Sequence, residues 1–430
     1  MHPELLRTHL QGLNRRGALA LAGKAMAAGA VGSMIGGCST EAPPGAGQPA
    51  GQAPPPPPPG DPTQFIDVPF NYDDIPAWVP GPYGPGDQRG ALNNINPEKV
   101  AKALELARGA AVKTYNLGEQ MFNGFPAFIT TPPRTYEQRL TVTGYEPGDR
   151  FRAEGGILQS TTGLGDNKAS VHEERFAASQ VGQFPPLATT YQIGCQLDGL
   201  GHLGAGELFY NGFRGPEIAR GWGLGGLGGE TVGPIITRGV LLDVLGVKLA
   251  RNDRSALGPP AKNGRPVMAN NYRITIADIE DAMEFGKIAA VEPGDAVLFR
   301  TGWNQLLASR DPDEMKRWNA VAPQGNGLPG IYLAEARYLA ARRPAIIASD
   351  TWALEVLGNE VNSPAANGGR TILFPVHQDL LMRFGIRIGE SYVVDGPAED
   401  KKYLFTFIVT PQYAQGATCG NTPPAALVAI

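Results

Sequence analysis

Six consecutive prolines, Pro54 to Pro59, divide this chain into two unequal parts that cannot share a core. A polyproline run has no backbone donors and stays extended, so it enters neither a helix nor a sheet interior. The residues around it, 39–64, are rich in Pro, Gly and Ala and read as a disordered tether. Folding therefore falls to residues 65–430. No second linker and no internal repeat interrupts them, and one large domain is the simplest reading.

The segment ahead of the tether, 1–38, reads as an address rather than as structure. Arg15-Arg16 precede a weakly apolar Ala/Gly-rich run, Gly17 to Gly37, broken by Lys24. This pattern resembles a twin-arginine export signal. The run ends in Ile35-Gly36-Gly37-Cys38, which resembles a lipoprotein cleavage box with Cys38 as the lipidated residue. A short membrane-anchor helix or a disordered leader is the plainer alternative. The expectation is an exported protein, periplasmic or membrane-anchored, that meets the membrane only through an N-terminal lipid.

Composition narrows the body further. A net charge of −4 with 18% charged residues gives no basic surface for a nucleic acid. No long apolar segment follows residue 60, which excludes a multi-spanning membrane protein. The 57 glycines and 39 prolines imply a turn-rich body, and three cysteines supply no disulfide framework. Helical spacing begins at Asn96-Pro97 and stops at Gly109. It returns behind the Thr275/Asp278 capping pair and again over Leu333 to Ala340, closed by Pro344. Strand signals interleave at Gly239–Val244, Ala296–Arg300, Ile346–Ser349 and Tyr403–Val409. Alternation of this kind predicts a mixed α/β domain.

Only three of the five histidines lie in the body: His172, His202 and His377. In Gln192-Ile-Gly-Cys-Gln-Leu-Asp-Gly-Leu-Gly-His202, an extended backbone would turn Gln192, Gln196 and Asp198 to one side. Two amide oxygens and a carboxylate would then converge near His202, a set able to hold a divalent ion and a water. A polar-faced edge strand followed by a glycine turn accounts for the same spacing. Towards the end, Val376, Leu380, Leu381 and Phe384 form a short apolar helical face with His377 in its first turn. There the positive helix end favours a neutral, metal-ligating imidazole. Ile386 to Gly389 reads as a strand that carries Glu390 at its end.

These residues resemble the signature of the cyclase family, which includes bacterial kynurenine formamidases and isatin hydrolase. That signature is His-x-Gly-Thr-His-x-Asp-x-x-x-His. Its four functional positions fall on Gln192, Gln196, Asp198 and His202, with Cys195 in the threonine position. A branch with glutamine at both leading positions is similar to this chain. Further blocks resemble the family in order: Gly86–Asn93, Thr237–Asp243, Gly294–Trp303 and Ser349–Glu355.

The resemblance implies an α/β, layered β/β/α swivelling-domain fold assembled as a homo-oligomer. It implies a metal-dependent, arylformamidase-like hydrolase of a small amide, cyclic amide or lactone. One divalent ion, manganese or zinc, would be held by Asp198, His377 and Glu390. Gln192 and Gln196 would be weak ligands or hydrogen-bond partners of ligands, and His202 the general acid/base. Replacing two imidazoles by amides disfavours zinc and favours a single oxygen-tolerant ion. Trp303 and Trp352 either line a substrate pocket or belong to the core. His172, in a charged stretch, reads as a surface residue, and Gly221–Gly229 as a flexible wall or lid. Cys195 and Cys419 either pair or stay free. The competing functions are a metal-free ligand-binding relative that has lost catalysis, and a polyketide-type cyclase.

Overall fold

Ile235–Leu242 is apolar on both of its faces, as a strand covered on two sides must be, and it lies within the main sheet. The computed structural model describes residues 70–128, 134–164, 166–176, 190–320, 327–358 and 374–430. The leader, Cys38, the proline tract and residues 65–69 at the domain boundary fall outside them.

The strands, in chain order, begin with β1 (Val112–Asn116), β2 (Gln138–Thr143), β3 (Ile157–Ser160) and β4 (Val171–Phe176). Next come β5 (Gln196–Asp198), β6 (Ala219–Arg220), β7 (Gly223–Leu224), β8 (Ile235–Leu242) and β9 (Ala296–Phe299). The series closes with β10 (Ile346–Ser349), β11 (Arg387–Glu390), β12 (Leu404–Val409), β13 (Cys419–Gly420) and β14 (Ala425–Ala429). One nine-stranded sheet runs β1-β14-β12-β8-β9-β10-β11-β5-β13. Its middle, β8 to β11, is parallel, and antiparallel strands flank it on both sides.

The helices that matter here are α1 (Pro97–Glu105), α2 (Val244–Ala250), α3 (Ile276–Phe285), α4 (Leu333–Ala340) and α5 (Pro375–His377). Helix α1 starts where the Asn96 side chain accepts the Lys99 N–H. Thr275 and Asp278 close a full capping box on α3, which ends at Gly286. Helix α5 continues as a π-helical turn, Gln378–Phe384, and stops at Gly385 with φ +64°.

Strand alternation sorts the core into layers. Val240, Leu242, Val297, Phe299, Ile347 and Ile388 face the helices and pack with Leu245, Ile279, Ala336 and Leu380. Their neighbours Leu241, Leu298, Ile346 and Ala348 face the other way, onto Tyr115, Phe405, Phe407 and Val428 from β1, β12 and β14. The sheet thus curls over itself on one side and is covered by helices on the other. This is the layered β/β/α arrangement the sequence led us to expect. A third cluster, built on Trp303, Trp318 and Trp352, closes the end of β9 and β10.

Candidate functional site

Strand β5 is wedged between β11 and β13, with Gln196 opposite Glu390 and Asp198 opposite Cys419. Gln196 and Asp198, two residues apart, share a face with Glu390. Helix α5 brings His377 over the same face. His377 Nε2 lies 3.1 Å from Glu390 Oε1 and 3.7 Å from Asp198 Oδ2. Asp198, His377 and Glu390 each offer a ligand atom within 4.8 Å of the others, and all three are buried. Gln196 joins them by donating its Nε2 hydrogen to Glu390 Oε2.

Gln192 is placed differently from the extended-strand expectation. The chain bends before β5, with Gly194 at φ +65° tucked under Met121, so Gln192 is not in register with Gln196. Its Nε2 instead donates to His202 Nδ1 at 2.9 Å. That bond puts the His202 proton on Nε2, which lies 4.0 Å from Asp198 Oδ2. Burial lowers the His202 pKa from its ordinary value. The Asp198 charge opposes the drop, while His377 and Arg134 reinforce it. A neutral imidazole, partly open to solvent, therefore stands beside the cluster.

His377 departs from the neutral state expected at a helix start. Burial works against its charge, but hydrogen bonds to Glu355 and Glu390 and their charges outweigh it and push the pKa up to about 10. Glu390 rises to about 7 through burial and the Asp198 charge, against the opposing pull of His377 and Arg134. These shifts favour protonation of the cluster when no ion is bound.

The donor set fits a divalent cation. Gln196 Oε1 and both oxygens of Asp198 are buried without any hydrogen-bond partner. Leaving such groups unsatisfied costs on the order of 1–3 kcal/mol each, more when charged. A cation at the face of Asp198 would satisfy them, and one imidazole among several oxygens suits manganese at least as well as zinc.

Two parts of the site were not read from sequence. Glu355 Oε1 sits 2.5 Å from His377 Nδ1 and leaves Nε2 facing the cluster. Glu355 fell inside a family-like block, but nothing in its spacing announced that role. The second is a line of aromatic rings: Trp352 against Phe128 (5.1 Å), Phe128 against Phe374 (5.7 Å) and Phe374 against His377 (5.3 Å). Trp352 ends this line of rings and is itself part of the core: it is 8% exposed, and its indole N–H donates to the Trp318 carbonyl. Trp303, fully buried and donating to the same carbonyl, is a core residue.

The remaining expectations resolve simply. His172 is exposed on β4, its Nε2 2.6 Å from Tyr145 Oη. The glycine-dense segment makes the β6–β7 hairpin. Leu224 and Leu227, at its end, lie against Gly201, next to His202. Cys195 and Cys419 are both free and buried: Cys419 pairs across the ladder with Asp198, while the Cys195 thiol is directed at the Leu117 carbonyl. Burial raises both thiols far from the reactive range.

A curled mixed sheet carrying a buried Asp-His-Glu cluster at its β5–β11 edge defines the class. The cyclase family profile matches residues 73–356, and the chain belongs to that family. A crystal structure described as a novel cyclase is 27% identical, covers 81% of this chain and 98% of its own, and superposes with a TM-score of 0.60. Isatin hydrolase A from Labrenzia aggregata is 13% identical over 74% of this chain and 94% of its own, with a TM-score of 0.45. Isatin hydrolase A from Ralstonia solanacearum is 14% identical over 76% and 96%, with a TM-score of 0.46. No curated protein matches the chain.

Proposed function

We propose that this protein is a metal-dependent hydrolase of a small amide, cyclic amide or lactone. The observation that carries the reading is the Asp198 carboxylate, buried with both oxygens unpartnered beside His377 Nε2 and Glu390. Asp198, His377 and Glu390 would hold one divalent ion, with the Gln196 carbonyl oxygen beside them, and manganese suits this set at least as well as zinc. Bound there, such an ion supplies Lewis acidity that polarises a carbonyl and lowers the pKa of a water from 15.7 towards about 7.

The chain's own residues supply the rest. Glu355 fixes the His377 ring so that Nε2 stays turned to the cluster. Gln192 holds His202 in the tautomer that carries its proton on Nε2. From there the His202 Nε2–H can donate a hydrogen bond to the atom that gains negative charge as the scissile bond breaks. The aromatic line of Phe374, Phe128 and Trp352, edge-to-face at Phe128 and Phe374, would give a substrate an apolar boundary beside His377. The twin-arginine-like leader and Cys38 support export and lipid anchoring, which would put this activity outside the cytoplasm.

The test is metal analysis of the purified full chain together with a hydrolysis screen over N-formylkynurenine, isatin and dienelactones. About one equivalent of ion, lost along with turnover in Asp198→Ala, supports the hydrolase. Metal-free protein with a retained small molecule and no turnover overturns it in favour of a binding role.

A further inference from the structure

The buried Asp198-His377-Glu390 cluster is bordered by side chains that are only half-buried: His202, Phe374 and, beyond it, Phe128 and Arg134. Phe374 lies against His377 and Phe128 against Phe374. The Arg134 guanidinium carbon sits over Phe128, 5.9 Å from the ring centre. This run of contacts brings a cation to the rim of the site. Burial is the leading influence on His202, Glu390 and Cys419, and the Arg134 charge acts on all three. Those groups come from the turn after β5, from β11 and from β13, so the guanidinium stands near the point where they meet. Among the described residues no carboxylate pairs with Arg134 and no group accepts a hydrogen bond from it. The acids that could have done so are engaged elsewhere. Glu137 accepts from Arg139 Nε at 2.9 Å, and the Glu390 oxygens meet His377 and Gln196.

We infer that Arg134 anchors a carboxylate carried by the substrate, so that the site takes small aromatic amides or lactones bearing an acid group. The scissile bond in this statement rests on the hydrolase reading above; the anion does not. A guanidinium keeps its charge at every working pH and presents a planar fork of N–H donors that matches a carboxylate edge with two bonds. Phe128 lies under one part of that guanidinium and leaves its other donors free. Phe128 and Phe374, both half-buried, give the ring of such a substrate an apolar border on the way to His377. Charge decides the class of ligand. Asp198 and Glu390 repel any anion that approaches the cluster, and a single unpaired arginine at the rim offsets that repulsion for one negative charge. A neutral substrate gains nothing from Arg134, and a dianion such as a phosphate monoester exceeds what one fork balances beside two acids.

2-Formamidobenzoate and formanilide differ only by the carboxylate, and their binding to the full chain tests the anchor. NMR titration uses chelator-treated protein, so that no bound ion can take the carboxylate. The acid should bind at least about tenfold more tightly than the neutral probe, the scale of a charge-assisted hydrogen bond. Arg134→Gln should remove that preference while leaving the thermal unfolding midpoint unchanged, and Arg134→Lys, which keeps the charge and loses the fork, should retain part of it. Equal binding of the two probes, no binding of the acid, or a preference that survives in Arg134→Gln overturns the inference. With manganese restored, the same preference should appear in kcat/KM, carried by KM. Arg134-dependent binding of the acid without turnover supports the anchor and removes the hydrolase reading. Turnover of both probes with equal kcat/KM keeps the hydrolase and overturns the anchor.

Discussion

Glu355 holds His377 at two levels. Its Oε1 accepts from the ring at Nδ1 (2.5 Å) and from the His377 backbone N–H, while Oε2 accepts the N–H of Val376. One carboxylate thus sets both the start of α5 and the direction of Nε2. The same arrangement would orient the imidazole toward an ion held by the cluster.

Glu355→Gln keeps the size of the side chain but removes its charge. Manganese affinity should fall about 10–100-fold, as read by calorimetry, with turnover at saturating metal much less affected. An unchanged affinity would mean that Glu355 serves only the backbone.

Metal loading should stabilise the fold through Asp198. Manganese at a hundredfold above its Kd is expected to add about 2.7 kcal/mol, seen as a rise in Tm. Asp198→Asn should abolish that rise. A variant that still gains Tm with manganese would place the ion elsewhere.

The raised pKa values of the cluster predict a direction for stability against pH. Both shifted groups have folded pKa values above their ordinary ones: Glu390 at about 7 and His377 at about 10. Raised values contribute stability at low pH and lose it as pH climbs, Glu390 between about 4.5 and 7 and His377 between about 6.5 and 10. The chelated wild type should therefore lose Tm relative to His377→Gln as pH rises from 5 to 9. Manganese should recover most at the alkaline end, where the proton competes least for Nε2. The opposite slope would contradict the cluster electrostatics.

His202 should set the acid limb of the rate profile. Burial, the largest influence on it, holds its pKa below the ordinary 6.5. Protonating Nδ1 would break the bond it accepts from Gln192, so kcat/KM should be flat above about pH 6.5 and fall only below it. His202→Ala should cost about 10²–10⁴ in kcat while leaving manganese stoichiometry intact. Loss of the ion in that variant would reassign His202 as a ligand.

The two glutamines should answer differently to histidine. Gln196 faces Glu390, so Gln196→His adds an imidazole to the cluster and should tighten zinc at least about tenfold. Gln192 is engaged with His202 Nδ1, so Gln192→His should leave zinc affinity nearly unchanged and lower kcat by disturbing the His202 tautomer. Equal tightening by both would show that Gln192 also reaches the ion.

Sequence by itself located α1, α3 and α4 and the strands β8 to β12, though not β1 to β4 or β14. The Asn96 and Thr275 caps, the apolar runs of β8 to β10 and the glycine stops are local signals, because capping and side-chain alternation act over three or four residues. It also identified Asp198, His202, His377 and Glu390, since the resemblance carries them by position. What only the tertiary structure decided is which donors meet and what each one faces. Residues 198 and 390 converge because β5 pairs with β11 across almost two hundred residues, a register no local pattern encodes. The bend at Gly194 took Gln192 away from the cluster and gave it to His202. The same packing recruited Glu355 and Phe374 to His377 and consigned Trp303 to the core. Long-range register and burial are properties of the whole packed chain, and side-chain roles that depend on them become visible only when the chain is folded.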